Sequence, residues 1–275
     1  GGMISARKIA EDLEDIRAAL SGRQAPFLSS LLARARVIAT TSVERVGIDD
    51  KTIIYVNPDF WKTLNFLEKA YIASHEIFHA AGCHGIRERS RVQNPEKNPA
   101  GHKLFNCASD AIVFRMLEHL IRCPPIEKDS IGPQWVSEQT GAPIDEIEKM
   151  AVEEVFDLLK KHVKVVKVGF ICDIIPGHGP KGEVVQKGDP AFRKGTAPDK
   201  VKDAWKGFVS RAYMAQRMAG TVPAGIERFV NGLIKPKLDP RALIRRAVRV
   251  GIGKTIVSDW KRKSRRYPDV LPGIK

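Results

Sequence analysis

An uninterrupted helical run constrains this chain more than any other feature of its sequence. Asn65 and, three residues later, Glu68 form the pattern of a capping box, in which each side chain accepts a hydrogen bond from the other residue's backbone N–H. Neither proline nor glycine occurs between Glu68 and Gly82. The pattern therefore predicts a helix that begins at the capping box and ends near Gly82. Most of its residues are apolar, so the titratable residues inside it need a separate explanation.

Those titratable residues form the string HEIFH, from His75 to His79. Residues four apart share one face of a helix, so both imidazoles can reach one metal ion while Glu76 projects beside them. Zinc lowers the pKa of a bound water to about 7, and a nearby carboxylate can take its proton and pass it to a leaving amine. We therefore predict that His75 and His79 bind Zn²⁺ and that Glu76 is the general base and acid. The alternative is a pair of structural histidines that contact the core or surface acids.

A catalytic zinc site usually has three protein ligands, so a third ligand is required. The extended pattern HExxHxxGxxH would place a histidine where this chain has Gly85, and the nearest histidine is His84. A glycine at position 82 could break the helix and let His84 turn back. The other candidate is Asp110, because an acidic side chain on a mostly apolar helix is costly to bury without a cation. Asn106 lies one turn earlier, where its amide could orient a ligand or the substrate backbone.

The remaining pattern predicts a helix-rich chain with a small sheet. Two short stretches rich in β-branched residues, 36–42 and 52–56, are predicted to be paired strands. Gly47 and the Asp49-Asp50 turn lie between them. Ile53 to Val56 is the candidate edge strand that could hold an extended peptide. Apolar spacing predicts the other helices, at 5–20, 102–122, 143–161, 199–218 and 223–234. The glycine- and proline-rich segment from Gly169 to Gly195 is predicted to be a long loop or flexible flap.

Cysteine usage and the lack of a long apolar run lead us to expect a cytoplasmic protein, and the charge of the chain is strongly positive. The 46 Lys and Arg residues exceed the 32 Asp and Glu residues and give a formal charge of +14, with the excess concentrated after Arg241. The four cysteines form no CxxC pair and fit reduced thiols, and no apolar run reaches the roughly 20 residues that a membrane-spanning helix needs. If the basic tail folds over the site, Tyr267 and its neighbouring arginines could stabilise an oxyanion or hold a substrate carboxylate.

Three strings resemble a bacterial metallopeptidase domain family that is often associated with von Willebrand factor A-like domains and AAA-type ATPases. They are IIYVNPDF from Ile53, SHEIFHAAGCHGIR from Ser74 and FNCASDAIV from Phe105, and the tail string SDWKRKSRRYPDVLPG from Ser258 is also similar. The resemblance implies a histidine and an arginine after the HExxH helix, matched by His84 and Arg87. It also implies an asparagine-to-aspartate motif, matched by Asn106 and Asp110, and so favours Asp110 as the third ligand. Cys83 and Phe114 depart from the family's usual glycine and asparagine.

These observations predict an α+β, mostly helical, zincin-like metallopeptidase with a small sheet before the HExxH helix. We expect a core at residues 3–165, a flexible Gly/Pro/Lys-rich loop at 166–198, and a helical C-terminal part with a basic tail at 199–275, packed on the core. The expected cofactor is one Zn²⁺ ion, and the expected substrate is a protein or peptide. The resemblance also implies a von Willebrand factor A-like domain or an AAA-type ATPase as a partner.

Two other functions compete with peptide hydrolysis. A catalytically silent zincin-like adaptor in an ATPase-linked assembly would use the metal as a scaffold and the basic tail for docking. A DNA-associated protease would resemble the SprT-type HExxH enzymes in motif and basic charge, and its affinity for nucleic acid would fall steeply with salt. The chain has no recognised nucleic-acid motif and only 7% aromatic residues, so we rank this third hypothesis last.

Overall fold

A computed structural model describes residues 6–22, 25–127, 130–163, 172–193, 195–220, 222–234, 258–263 and 272–274. The chain divides into two compact units, residues 1–234 and residues 235–275. In the second unit, strands β6 and β7 form an antiparallel pair; they are Ser258–Lys263 and Pro272–Ile274. The first unit contains the HEIFH string and all of the helices described below.

Helices dominate the described part of the first unit. They are α1 Ala6–Gly22, α2 Pro26–Leu32, α3 Pro58–Thr63, α4 Phe66–Ala81, α5 His84–Arg91, α6 Pro99–Leu117, α7 Pro124–Glu127, α8 Pro133–Thr140, α9 Ile144–Ile147, α10 Val152–His162, α11 Pro198–Met218 and α12 Ala224–Ile234. None of the helices among the described residues is both long and apolar enough to cross a membrane. The architecture is therefore α+β and mostly helical.

A mixed five-stranded sheet accompanies these helices. Its strands are β1 Val37–Ala39, β2 Val46–Ile48, β3 Ile54–Val56, β4 Cys172–Ile174 and β5 Glu183–Gln186, in the order β4-β2-β3-β1-β5. Strand β3 pairs in parallel with β1 and antiparallel with β2, whereas β2 pairs in parallel with β4 and β1 pairs antiparallel with β5. Strands β1, β2 and β3 are buried along their full length, as their β-branched and aromatic residues favour.

The sheet corrects three of the sequence-based expectations. The segment 166–198, expected to be a flexible loop, contains β4 and β5, which form the two ends of the sheet. Ile53 to Val56 is not an edge strand, because β3 lies at the centre with a neighbour on each side. Gly47 does not separate two strands but lies inside β2. Strand order depends on partners that arrive more than 100 residues later in the chain, which local pattern does not reveal.

The helix predicted from the capping box is α4, and the predicted cap is present. The Asn65 side chain accepts from the Glu68 backbone N–H at 3.0 Å, and the Glu68 carboxylate accepts from the Asn65 backbone N–H at 2.8 Å. These two bonds satisfy donors that would otherwise have no partner in the first turn of the helix. From Ala70 to Ala81 every residue of α4 is buried, including the three polar residues of HEIFH. The helix is thus a central element of the core, and its polar residues face other protein groups.

Helices α4 and α6 are each held in place by aromatic packing. The Phe78 ring on α4 lies 6.2 Å from Phe27 and 5.4 Å, edge to face, from Phe229 on α12, measured between ring centroids. On α6, Phe105 lies 5.6 Å from the ring of Phe156 on α10. Such pairs stabilise a fold beyond their simple burial and fix the relative rotation of the helices.

The expected helix over 143–161 is divided into α9 and α10.

Replacement of the α4 cap should lower stability. Asn65→Ala removes the side-chain acceptor at the N-cap, so we expect the free energy of unfolding to fall by about 1 kcal/mol. Urea unfolding followed by circular dichroism measures this change. Asn65→Asp is the matched control, since aspartate is an equally good N-cap residue and should stay within a few tenths of 1 kcal/mol of the wild type. Equal stability of the alanine and aspartate variants would contradict a capping role for Asn65.

Candidate metal centre

Helix α4 brings His75 and His79 together on one face. Their Nε2 atoms are 2.8 Å apart, and their ring centroids are 4.6 Å apart. The two residues are only 8% and 2% exposed. The spacing of four residues therefore produces the convergent pair of imidazoles that the sequence predicts.

Helix α6 supplies an acidic group to the same point. Asp110 Oδ1 lies 3.1 Å from His79 Nε2 and 3.4 Å from His75 Nε2. Asp110 is 6% exposed, and these three ligand atoms all lie within 4.8 Å of one another. Two packed helices thus place two ring nitrogens and one carboxylate oxygen at the corners of a small triangle.

The chemistry of this triangle fits a divalent cation. Tetrahedral ligands at zinc–nitrogen and zinc–oxygen distances would be separated by about 3.4 Å, close to the spacing of the three atoms here. Among the described residues, no donor meets hydrogen-bond geometry with Asp110 Oδ1, although this oxygen is buried. A buried carboxylate oxygen without a donor is costly, and a shared cation would satisfy it together with the two imidazoles.

The electrostatics of the triangle favour the protonation states that bind metals. Burial, together with the positive charge that His75 can carry, lowers the pKa of His79 to about 4, so this imidazole is neutral at physiological pH. Burial raises the pKa of Asp110, but the adjacent imidazoles of His75 and His79 lower it more, and the net shift is downward. A neutral imidazole and an ionised carboxylate are the forms in which these groups coordinate a cation.

His84 lies behind His79, on the side away from the triangle. Its Nδ1 is 2.9 Å from His79 Nδ1, and the two rings meet edge to face with centroids 5.0 Å apart. His84 is 1% exposed, and burial and the neighbouring His79 hold its pKa well below the usual value. It contacts the ring nitrogen of His79 that points away from Asp110. The structure therefore groups Asp110, and not His84, with the two HEIFH histidines.

Two close backbone approaches determine where His84 lies. A Cβ atom on Gly82 would meet His84 Nε2 at 2.7 Å, so the imidazole packs directly against the glycine at the end of α4. A Cβ atom on Gly85 would meet the carbonyl oxygen of Asp49 at 2.7 Å, so α5 lies against the turn between β2 and β3. Between the glycines, Cys83 has the left-handed φ of 53° that turns the chain from α4 into α5.

Glu76 and Asn106 lie on the two helices that carry the triangle. Glu76 follows His75 on α4, is 1% exposed, and also lines a small apolar cavity between α4 and the sheet. Asn106 lies one turn before Asp110 on α6, and its Oδ1 accepts from the Ile174 backbone N–H at 3.3 Å. This bond ties β4, one end strand of the sheet, to the helix that carries Asp110.

Arg87 and Tyr267 are the two other residues that sequence analysis proposes for the site. Arg87 forms a two-pronged ion pair with Glu153 on α10, with N–O distances of 2.7 Å and 2.6 Å, and its other terminal nitrogen donates to the Gly82 carbonyl at 3.4 Å. Arg87 therefore braces the α4–α5 junction from outside. Sequence reasoning missed Glu153, because it lies 66 residues from its partner and has no local signal. Tyr267 lies outside the described residues.

Substitution at Gly82 should disturb this arrangement. Gly82→Ala places a methyl group against His84 Nε2 and the Phe78 carbonyl, both at 3.0 Å or less, so the buried ring must move and we expect a loss of about 1–3 kcal/mol of stability. Gly207→Ala is the matched control, because a Cβ there meets only Arg211, at 3.6 Å, inside α11. Alanine should stabilise that helix by up to about 1 kcal/mol. Urea unfolding measures both, and shifts of the same sign would contradict the steric explanation.

Comparison with known protein families shows the family to which this chain belongs. The chain matches the family described as "Putative metallopeptidase domain" over residues 11–272, which is nearly all of its 275 residues. No curated protein and no solved structure matches it. The family description points to metal-dependent peptide hydrolysis, in agreement with His75, His79 and Asp110 as a group that could hold a metal ion. The resemblance seen in the sequence is therefore confirmed, and the chain belongs to this metallopeptidase domain family.

Proposed function

We propose that this protein is a zinc-dependent peptidase with a zincin-like site, in which His75, His79 and Asp110 bind the metal. The observation that carries the proposal is the convergence of two Nε2 atoms and one carboxylate oxygen within 3.4 Å of each other. Two imidazoles and one carboxylate suit zinc better than calcium or magnesium, which prefer oxygen ligands alone. Three protein ligands also leave a coordination position for water, as hydrolysis requires.

Glu76 is proposed as the general base and acid. A bound zinc ion would supply a water of lowered pKa and polarise the carbonyl of the scissile bond. Glu76 lies next to His75 on the same helix, so its carboxylate can take a proton from that water and later donate it to the leaving amine. Because Glu76 is almost completely buried, bulk water competes little for this proton transfer.

His84 is proposed to position His79. If His79 donates its Nδ1–H to Nδ1 of His84, the lone pair of His79 Nε2 must face His75 and Asp110. The same bond fixes the rotation of the imidazole, which a metal ligand requires. The lowered pKa of His84 supports this role, because a neutral His84 can present an acceptor nitrogen to His79. His84 would then act through His79 rather than on the substrate.

A peptide substrate would find a strand edge close to the metal centre. Strand β4 lies at one end of the described sheet, and its Ile174 backbone is bonded to Asn106, one turn from Asp110. An extended peptide can add to such an edge through the backbone groups that Asn106 does not occupy, and such backbone hydrogen bonds bind a chain without strong sequence preference. This edge replaces the Ile53 to Val56 strand that sequence analysis favours.

Removal of the Glu76 carboxylate should abolish cleavage without removing the metal. We expect Glu76→Gln to retain one equivalent of zinc by elemental analysis and to lose at least about a thousandfold in the rate of hydrolysis of fluorescently labelled casein. Glu68→Gln on the same helix is the matched control, because glutamine also serves in a capping box. Cleavage by Glu76→Gln at the wild-type rate would refute its role, and a zinc-loaded wild type that cleaves no protein would favour the silent adaptor.

Loss of the His84 acceptor should weaken metal binding without abolishing it. We expect His84→Leu to lower zinc affinity by about 10- to 100-fold and His84→Gln, which keeps an acceptor, to recover part of this loss. His79→Ala removes a ligand and should lose stoichiometric zinc. Competition with a chromophoric chelator measures the affinities, and exposed His119 supplies the control His119→Gln. Wild-type affinity in His84→Leu would show that the two rings contact each other for packing alone.

A further inference from the structure

A basic groove lies between α1, α2 and α11, and the peptidase mechanism does not use it. Its volume is about 340 Å³. Three arginines, two serines and one phenylalanine line it: Arg17, Arg34, Arg211, Ser29, Ser30 and Phe208. The arginines come from three separate segments, of which α1 and α2 pack on each other and α11 packs on α2. Tertiary packing has therefore gathered positive charges that are far apart in the sequence.

None of these guanidinium groups is neutralised by a described carboxylate. Arg17, Arg34 and Arg211 form no ion pair among the residues that the structure describes, although salt bridges are frequent elsewhere in the first unit. Arg17 is only partly exposed, and its Nε is buried without a hydrogen-bond partner in the described chain. A buried guanidinium donor without an acceptor is costly unless a ligand supplies one. Arg17 lines this groove and also the apolar cavity beside Glu76.

Phe208 fixes the spacing of the other two arginines. The guanidinium carbons of Arg211 and Arg34 lie 4.9 Å and 5.3 Å from the centre of its ring, within cation–π range. The ring is only 8% exposed and also contacts Trp205 and Phe192 in the core, so it is a rigid support. Two positive charges are held on one aromatic ring despite their mutual repulsion, which an anion bound between them would relieve.

Hydroxyl groups complete the groove. Ser29 donates to the Arg17 carbonyl at 3.0 Å and accepts from Ser21 at 2.9 Å, so its hydroxyl helps to hold the wall. The Ser30 hydroxyl forms no hydrogen bond with any other described residue and lines the same space. Arginine forks and a hydroxyl donor are the groups that proteins use to bind phosphoryl oxygens.

We propose that this groove binds a small phosphate-bearing molecule, whose phosphoryl group lies among Arg17, Arg34 and Arg211. The groove has the volume of a small-molecule site, and its charges form one compact cluster and not the extended stripe that tracks a nucleic-acid backbone. The proposal is independent of the metal centre, because it uses no residue of the HEIFH string or of the Asp110 segment.

The test is calorimetric titration of the full chain at constant ionic strength with orthophosphate, pyrophosphate and adenosine triphosphate. We expect saturable binding by the wild type. Each of the single variants Arg34→Gln and Arg211→Gln should bind about tenfold more weakly, since each loses one charge-assisted bond. Arg217→Gln is the matched control, because Arg217 is an exposed arginine on the same helix outside the groove. It should change affinity less than twofold. Comparison of the three ligands distinguishes a free phosphate site from a nucleotide site.

Several results would overturn the proposal. These are the absence of binding to all three ligands at millimolar concentration, equal weakening by Arg217→Gln, and stronger binding to duplex DNA that the same control also weakens. Each would assign the positive charge to the general field of the protein. His79→Ala serves as a second control, because pyrophosphate can bind a metal ion directly. Loss of binding in His79→Ala but not in Arg34→Gln would also refute the groove site.

Discussion

The burial of three metal-ligating groups at one point is the constraint on which the rest of this structure depends. His75, His79 and Asp110 converge within 3.4 Å and are almost inaccessible to solvent. Such a cluster needs two helices held at a fixed separation and rotation, because a shift of about 1 Å would remove a ligand from reach. The aromatic contacts of Phe78 and Phe105 and the ion pair of Arg87 on α5 with α10 provide that rigidity. The hydrophobic core thus positions the polar site.

The junction between α4 and α5 shows how local backbone geometry serves the same cluster. Gly82 leaves room for the His84 ring, Cys83 makes the left-handed turn, and Gly85 lets α5 approach the turn that follows β2. The φ of 53° at Cys83 is one that glycine adopts without steric cost, whereas a residue with a side chain is strained there. In this chain the Cys83 side chain is buried, so its packing offsets part of the backbone strain.

Local signals predicted α4 and the convergence of its two histidines well, whereas long-range partners escaped prediction. The capping box and the His75–His79 spacing depend on residues within one helix, and both are present as expected. Asp110 could be proposed because an acid on an apolar helix needs a cation. The expected edge strand was wrong, and β4 and β5 were missed, because strand order depends on segments more than 100 residues apart. The position of His84 behind His79 depends on two glycines whose role appears only in three dimensions.

The described part of the chain leaves charge without a protein partner in two places of opposite sign. At physiological pH the ligand triangle contains an ionised Asp110 and a neutral His79, so the triangle attracts a cation. The groove between α1, α2 and α11 contains three arginines that lack a described carboxylate partner, so it attracts an anion. In each case rigid neighbours hold the charged groups together. The free-energy cost of bringing these groups together is therefore part of folding and does not reduce the affinity for a ligand. A fold that keeps such charges assembled is preorganised for ligands of the complementary sign.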